Sequence, residues 1–261
     1  MNGIQRIQNR FKQEKVFVAY LTAGDGGMQR TLDAALALIA GGVNMLEIGV
    51  PFSDPVADGP VIQRAAKRAL AAKTTLQDIL QLTKEIRKKS DIPLILFSYL
   101  NPIFSVFNTT FFQEAAAAGI DGALLVDCPL EESNVFQQKC LENHIAPIYV
   151  ITPSTPMERV RKIAQHGKGF LYYACRKGTT GVRTDLPSDF TEKMQSIQAN
   201  VNLPVITGFG ISSRDAATKV LQYADGVVVG SLFVKALEDG ITPTELTTLA
   251  ASINPLVRKK V

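Results

Sequence analysis

The sequence predicts an α/β fold, a (β/α)8 TIM barrel, from two observations. Short runs of β-branched and aliphatic residues alternate with longer segments of helical period, a pattern typical of βα units and a parallel sheet. Eight such runs fit within 261 residues, a length at which eight βα units favour a closed barrel over a doubly wound sheet. Their predicted starts are Val16, Met45, Leu94, Gly122, Ala146, Phe170, Leu203 and Gly226.

Helices outside the eight repeats belong to the same prediction. Ile4, Ile7 and Phe11 recur at helical spacing on a polar stretch, which predicts an N-terminal amphipathic helix that closes the bottom of the barrel. The interval between the second and third strands is the longest, and it has room for extra helices over residues 61–72 and 75–89.

Composition and charge place the chain among folded globular proteins. Hydrophobic residues make up 46% and charged residues 20%, unlike the composition of disordered chains. No Gly-, Ser- or Pro-rich linker interrupts the chain, so we expect one TIM-barrel domain over residues 1–261. The net charge of +4 comes from basic residues spread along the chain, which indicates solvated faces rather than a nucleic-acid surface.

The N-terminal segment, the cysteines and the histidines bear on localisation and on metal binding. Residues 1–15 lack the apolar core of a signal peptide, and no apolar run is long enough to span a bilayer, so we expect a cytoplasmic protein without a membrane partner. The three cysteines form no CxxC pair, which favours reduced thiols. The two histidines have no companions at metal-ligand spacing, so we expect no bound metal.

In a (β/α)8 barrel the active site lies at the carboxyl ends of the strands, and the second strand carries a glutamate there. Along residues 45–49, alternation places Leu46 and Ile48 under the helices and Glu47 in the barrel mouth. Burial there raises the pKa of a carboxyl toward the range of a general acid or base. The structural alternative is a buried glutamate whose oxygens are satisfied by neighbouring donors.

The next segment, residues 51–60, holds three prolines and two aspartates, so it is stiff. Such a loop can hold Asp58 over the mouth opposite Glu47, with Asp54 facing outward. Turn formation alone also accounts for the aspartates, and their spacing does not decide between the two explanations.

Glycine pairs follow the last two strands of the predicted barrel. Gly208 and Gly210 come after the seventh strand, and Gly230 precedes Ser231 after the eighth. Barrels often bind phosphate with these two loops and a helix N-terminus, where bare backbone N–H groups and the helix dipole meet the anion. The two pairs together predict a phosphate site.

The fifteen residues from Leu46 to Pro60 form the most specific motif of the chain. They closely resemble the signature of the tryptophan synthase alpha subunit family. Further matches span the whole chain in family order, at residues 22–25, 99–102, 176–181, 208–212 and 230–231.

The resemblance implies an enzyme, a carbon–carbon lyase that cleaves indole-3-glycerol phosphate to indole and glyceraldehyde 3-phosphate late in L-tryptophan biosynthesis. By motif, Glu47 is the expected general acid–base and Asp58 the expected partner of the indole N–H. The expected substrate-binding residues are Tyr20, Tyr99, Tyr172 and Thr180, with Thr180 in a lid after the sixth strand. The expected phosphate contacts are Gly181, Gly210, Gly230 and Ser231.

The resemblance also implies a partner, because this family works as an α2β2 heterotetramer. Indole is expected to pass through a tunnel to the beta subunit, which holds pyridoxal phosphate (PLP), and this chain is expected to hold no cofactor. The expected partner interface consists of Pro51, Asp54, Pro55, Asn101 and Pro102.

Four residues, at three places in the chain, depart from the family pattern. Gly26 and Gly27 follow Asp25 where a proline is usual, Cys175 stands for a serine, and Thr179 stands for a valine. We interpret Cys175 as a small packing residue rather than a nucleophile. These departures bear on lid closure and on coupling to the partner rather than on the two carboxylates.

Two other functions share part of this evidence. Another phosphosugar barrel, such as an isomerase, an epimerase or a Schiff-base aldolase, would use the same phosphate glycines without needing residues 51–60. An aldolase would also need a reactive lysine, whereas Lys177 lies beside glycines in a segment predicted to be solvated. A non-catalytic regulatory subunit that binds phosphosugar would not need Glu47 and Asp58.

Overall fold

The computed structural model describes residues 1–175, 186–208 and 210–257, and a closed barrel of eight parallel strands lies at its centre. The strands follow one another around the barrel in chain order, and β1 pairs with β8. They are β1 Val16–Thr22, β2 Met45–Gly49, β3 Leu94–Ser98, β4 Gly122–Leu125, β5 Ala146–Ile151, β6 Leu171–Tyr173, β7 Val205–Thr207 and β8 Gly226–Val229. The predicted (β/α)8 barrel is therefore confirmed.

Six of the eight strands begin at the predicted residue, and the other two begin slightly later. β6 begins at Leu171, one residue after the predicted Phe170. β7 begins at Val205, two residues after the predicted Leu203. Pro204 intervenes there, and proline has no N–H to donate to a sheet ladder, so the strand starts after it.

Twelve α-helices surround the barrel in the described ranges. They are α1 Gly3–Gln13, α2 Met28–Ala40, α3 Pro60–Ala71, α4 Leu76–Arg87, α5 Leu100–Phe104, α6 Phe111–Ala118, α7 Asn134–Glu142, α8 Met157–His166, α9 Phe190–Gln198, α10 Arg214–Tyr223, α11 Ser231–Glu238 and α12 Pro243–Ile253. The two helices predicted between the second and third strands are present as α3 and α4. The strands β3 and β8 are each followed by two helices, α5 and α6 or α11 and α12, where the sequence predicted a single helical segment. None of the described helices combines the length and the apolar character needed to cross a membrane.

Side chains along β2 alternate between two apolar layers, as predicted. Met45 packs inside the barrel with Val18 and Ile95. Leu46 and Ile48 belong to the larger cluster between the sheet and the helices. Because side chains alternate, the next interior side chain of β2 after Met45 belongs to residue 47, which lies nearer the mouth of the barrel.

Helix α1 closes the bottom of the barrel, which confirms the closing helix predicted from the apolar spacing. A capping box between Asn2 and Gln5 starts the helix. Ile7 is fully buried in the interior cluster. Arg6 forms an ion pair with the fully buried Asp121, which also accepts a hydrogen bond from Arg87 at 2.7 Å. Apolar burial and a charged anchor thus hold the helix in place.

Polar side chains close the amino-terminal ends of three strand pairs. In each pair, the residue just before the second strand accepts a hydrogen bond from a backbone N–H at the start of the first strand. The pairs are Asn44 with Phe17 at 2.7 Å, Asp121 with Leu94 at 2.9 Å, and Asp225 with Val205 at 2.8 Å. These bonds satisfy N–H groups that the ladder leaves without acceptors at its end.

Candidate active site

A cavity opens at the carboxyl ends of the strands, where the sequence predicted the site. Its empty volume is ≈ 420 Å³, which includes part of the open mouth. Its lining consists of Tyr20, Glu47, Asp58, Ile62, Phe97, Tyr172, Gly208, Gly210, Val228, Gly230 and Ser231. The structure therefore brings both predicted carboxylates and both predicted glycine pairs to one space.

Three apolar lining residues were missed by the sequence analysis. Ile62 comes from α3 and Val228 from β8. Phe97 lies two residues after the interior Ile95 on β3, so extending the alternation along that strand could have identified it.

Glu47 lies in the wall of this cavity with almost no exposure to water. Its register places it between Tyr20 of β1 and Ile95 of β3, and its exposed fraction is 1%. The buried oxygen Oε1 has no hydrogen-bond partner among the described residues. Burial without a partner raises the pKa of Glu47 from 4.5 to about 8. Roughly nine-tenths of this carboxyl is therefore protonated at pH 7.

This environment bears on the structural alternative, in which neighbouring donors satisfy the oxygens of Glu47. A glutamate that serves only the fold would be expected to have its buried oxygens hydrogen-bonded, since an unpaired buried polar atom costs about 1–3 kcal/mol. Oε1 instead lies in a cavity wall with no hydrogen-bond partner in the part of the chain that the structure describes. Such an orphaned group is typical of a functional carboxyl that can exchange a proton with a ligand.

Tyr20 packs closely around the end of β2. A Cβ atom on Gly49 would lie 2.1 Å from the Tyr20 hydroxyl oxygen, so only glycine leaves room for the phenol there. The Tyr20 ring meets Phe97 edge-on, with centroids 5.3 Å apart. Burial raises the pKa of Tyr20 and of Tyr172 well above the ordinary value, so both phenols stay neutral beside Glu47 and Asp58.

Asp58 is held in the second wall by the segment between β2 and α3. Its side chain is buried, and its Oδ2 accepts a hydrogen bond of 3.0 Å from the hydroxyl of Tyr99. The same hydroxyl oxygen accepts a bond of 3.0 Å from the N–H of Ala57, so Tyr99 fixes both the carboxylate and the loop. Burial raises the pKa of Asp58 to about 6, and the Tyr99 bond opposes that rise.

The glycine pairs and the start of α11 form one side of the cavity. Gly230 is the N-cap of α11, whose first residue is Ser231. A Cβ atom on Gly208 would lie 2.5 Å from Cβ of Val228, so a bare backbone faces the cavity after β7. The first turn of a helix has N–H groups without intrahelical acceptors, and with the helix dipole they attract an anion.

The predicted interface residues differ in exposure. Asp54 and Asn101 are exposed, Pro55 and Pro102 are half-buried, and Pro51 is buried. Little of the surface of Pro51 is therefore exposed for contact with a partner in this chain by itself.

Four positions discussed from the sequence lie outside the described residues: Lys177, Thr179, Thr180 and Gly181.

The backbone conformation accounts for glycine rather than proline at position 26. Gly26 has a φ of 77°, a left-handed conformation that proline cannot adopt because its ring fixes φ near −65°. The loop between β1 and α2 thus follows a path that the usual proline would forbid. Cys175 is buried in the cluster between the barrel and the helices, as expected for a packing residue.

The chain is similar over nearly its whole length to proteins of one family. The model of the family described as "Tryptophan synthase alpha chain" matches residues 7–258. The chain belongs to the tryptophan synthase alpha chain family. The tryptophan synthase alpha chain of Coxiella burnetii (strain CbuK_Q154) is 54% identical to it over 252 residues, which cover 97% of this chain and 98% of that relative.

Solved structures of the tryptophan synthase alpha chain family agree with the sequence comparison. A crystal structure of tryptophan synthase subunit alpha from Legionella pneumophila str. Paris has a TM-score of 0.86 at 35% identity and covers 97% of both chains. A structure of Mycobacterium tuberculosis tryptophan synthase has a TM-score of 0.87 at 30% identity, covering 98% of this chain and 96% of that one. Family membership favours the lyase over the other phosphosugar barrels and over the non-catalytic subunit.

We expect Glu47→Gln to stabilise this alpha chain at neutral and alkaline pH. The stability that protonated Glu47 contributes is fully present below its ordinary pKa of 4.5 and is lost as pH rises to about 8. Glutamine keeps the shape and does not ionise, so the difference in unfolding free energy should grow across this window, by up to a few kcal/mol. Urea unfolding at about pH 5 and about pH 8.5 measures it. The exposed Glu142→Gln is the control, and an unchanged difference between the two pH values would contradict the burial argument.

Proposed function

We propose that this chain cleaves indole-3-glycerol phosphate to indole and glyceraldehyde 3-phosphate, as a carbon–carbon lyase in tryptophan biosynthesis. One observation carries the proposal: a protonated carboxyl, an ionised carboxyl and a helix N-terminus face a single cavity in a member of the alpha chain family. The protonated carboxyl suits the bond to be broken, and the ionised carboxyl suits the indole N–H. The helix N-terminus suits the phosphate of the same substrate.

Glu47 is the proposed general acid–base. With a pKa of about 8 it carries a proton at neutral pH, and it gives that proton to C3 of the indole. The resulting carboxylate then takes the proton of the glycerol hydroxyl on the carbon attached to C3. The oxygen becomes a carbonyl, the C–C bond breaks, and its electron pair returns to the indole ring. Glu47 ends protonated, so the proton balance closes without another group.

Asp58 is the proposed partner of the indole N–H. Protonation of C3 places positive charge on the ring nitrogen, and a carboxylate beside it stabilises that charge. A pKa of about 6 leaves Asp58 mostly ionised at neutral pH, because the Tyr99 hydroxyl donates to it. The two carboxyls thus have the opposite protonation states that the two roles need.

The remaining residues are proposed to bind and enclose the substrate. Gly210, Gly230 and Ser231 take the phosphate at the start of α11, and the neutral phenols of Tyr20 and Tyr172 line the space between the carboxyls. From the family resemblance, we also propose Gly181 as a phosphate contact and Thr180 as a lid residue that links to Asp58.

The proposed partner is a tryptophan synthase beta subunit in an α2β2 complex, which would hold the PLP. The alpha reaction needs only the proton transfers of Glu47 and the charge of Asp58, so we propose that this chain uses no cofactor of its own. We propose that the reaction takes place in the cytoplasm, in keeping with an odd number of cysteines.

The proposed docking surface consists of Asp54, Pro55, Asn101 and Pro102 together with two exposed apolar residues that the sequence analysis missed. Val56 is 76% exposed and Phe104, at the end of α5, is 66% exposed. Val56 follows Pro55 and Phe104 lies two residues after Pro102, so each adds an apolar group to the proposed surface. Phe52, in the same segment as Asp54 and Pro55, packs against Tyr99 with ring centroids 5.3 Å apart, and the hydroxyl of Tyr99 holds Asp58.

Indole release from indole-3-glycerol phosphate tests the reaction. We expect the purified chain to release indole slowly, and Glu47→Gln to lower the rate by at least about 100-fold while leaving substrate binding nearly intact, because only the proton-transfer group is lost. A fall in affinity as large as the fall in rate, or activity that survives the substitution, would rule out the acid–base role. The exposed Glu142→Gln is the matched control.

The pH profile of kcat/KM tests the two protonation states. We expect a bell whose rising limb lies at about 6, as Asp58 ionises, and whose falling limb lies at about 8, as Glu47 loses its proton. Tyr99→Phe removes the bond that lowers the Asp58 pKa, so the rising limb should move to higher pH and the falling limb should stay. An unmoved rising limb would show that Asp58 does not set it.

Stimulation by a cognate beta subunit tests the docking surface. We expect Phe104→Asp to weaken the increase in rate caused by the beta subunit by about tenfold or more. The reason is that a charge replaces an apolar side chain that the partner is proposed to cover. The rate of the isolated chain should stay unchanged. Leu256→Asp, at a residue that is 36% exposed after α12, is the control. Equal stimulation of all three proteins would argue against Phe104 in the interface.

A further inference from the structure

Helices α3 and α11 both begin at the cavity, although neither belongs to the eight helices that a minimal barrel needs. α3 starts two residues after Asp58, and α11 starts at Ser231. The two helices pack against each other and against β1. The apolar cluster in this region consists of Tyr20, Ile62, Ala65 and Val234. The relative position of the two helices therefore sets the distance between Asp58 and the start of α11.

A network of charges joins these helices away from the cavity. Nε and Nη2 of Arg68 donate to both carboxylate oxygens of Asp25, at 2.6 and 2.8 Å. Nη1 of Arg68 donates to Glu238, the last residue of α11, at 2.7 Å. Arg64 donates to both oxygens of the same glutamate, with each bond 2.7 Å long. Two arginines of α3 thus hold the end of α11 and the loop after β1.

A third arginine reaches the same helix end from α2. Arg30 donates to the backbone carbonyl of Leu237. A Cβ atom on Gly26 would lie 2.7 Å from both Cδ and Nη1 of Arg30, so the glycine leaves the space that this arginine occupies. We call Arg30, Arg64, Arg68, Asp25 and Glu238 the arginine clamp.

The clamp is better suited to fixing geometry than to stabilising the fold. The side chains of Arg64 and Arg68 are 48% and 37% exposed, and exposed ion pairs contribute little to stability. Bidentate guanidinium–carboxylate pairs, however, define distance and orientation together. Glu238 has two arginines on one carboxylate, which leaves the end of α11 little freedom.

We propose that the arginine clamp positions α11, and with it the phosphate subsite at Gly230 and Ser231, against the segment that carries Asp58. This inference rests on the proposed function, because it takes the ligand at the start of α11 to be a phosphate. Its members are positioning residues, since none of them lines the cavity.

Glu238→Gln separates positioning from electrostatics, because the two effects have opposite signs. Removing a negative charge makes the protein field more positive and relieves an unfavourable carboxylate at the carboxyl end of a helix. Electrostatics alone would therefore strengthen phosphate binding. Positioning predicts the opposite, because loss of the carboxylate that pairs with Arg64 and Arg68 loosens α11 and weakens phosphate binding.

The experiment compares wild type, Glu238→Gln and a control, Glu131→Gln. Glu131 also pairs with an arginine, Arg159, through two bonds of 2.8 Å, and that pair lies outside the cavity lining and outside the clamp. Calorimetry gives the affinities for glyceraldehyde 3-phosphate and for inorganic phosphate. Steady-state kinetics of the isolated chain gives KM and kcat for indole-3-glycerol phosphate, and inhibition by indole reports the other end of the cavity.

We expect Glu238→Gln to weaken both phosphate ligands and to raise KM by roughly fivefold or more, with kcat and indole inhibition within about twofold of wild type. Glu131→Gln should match wild type throughout. Unchanged or tighter phosphate binding in Glu238→Gln would overturn the proposal, and so would a lower unfolding temperature with unchanged KM. A wild-type chain that binds neither phosphate ligand would overturn it as well, whereas phosphate binding without indole release would count only against the proposed reaction.

Discussion

The pairing of β1 with β8 closes the barrel, and the candidate site is built across that seam. Val18 of β1 lies level with Val228 of β8, while Tyr20 lies level with Glu47 on the other side. The Cβ position of Gly230 comes within 3.4 Å of Cβ of Tyr20, although most of the chain separates the two residues. Closure therefore joins the acid–base side of the cavity to its anion-binding side. An open sheet with the same strands would leave them at opposite edges.

The two carboxyls of the cavity differ because their surroundings differ. Glu47 belongs to a strand whose backbone donors are used by the ladder on both sides, and its oxygen Oε1 has no donor among the described residues. Asp58 belongs to a proline-stiffened loop that places it under the hydroxyl of Tyr99. The same chemical group is thus protonated on the strand and ionised on the loop.

Much of the fold and part of the site could be predicted because they depend on local periodicity. Alternation along β2 was enough to turn Glu47 inward, and the positions of the glycines after β7 and β8 were enough to expect an anion site. The arginine clamp could not be predicted, since Asp25, Arg68 and Glu238 meet only once α3 and α11 are packed. Phe104 could not be identified as exposed for a related reason, because the short helix α5 gives too few turns for a periodic signal. The burial of Pro51 depends on tertiary packing, which composition does not report.

The three polar side chains at the bottom of the barrel divide it into pairs of strands. Asn44, Asp121 and Asp225 each join an odd-numbered strand to the even-numbered strand that follows it. In the remaining pair, β5 and β6, the residue just before the second strand is Phe170, whose side chain has no acceptor for such a bond. Three of the four strand pairs in this barrel are thus linked units of two strands each. A chain reopened between β2 and β3, or between β6 and β7, would keep every one of these bonds within a single continuous unit, whereas an opening inside a pair would place donor and acceptor at opposite ends of the new chain.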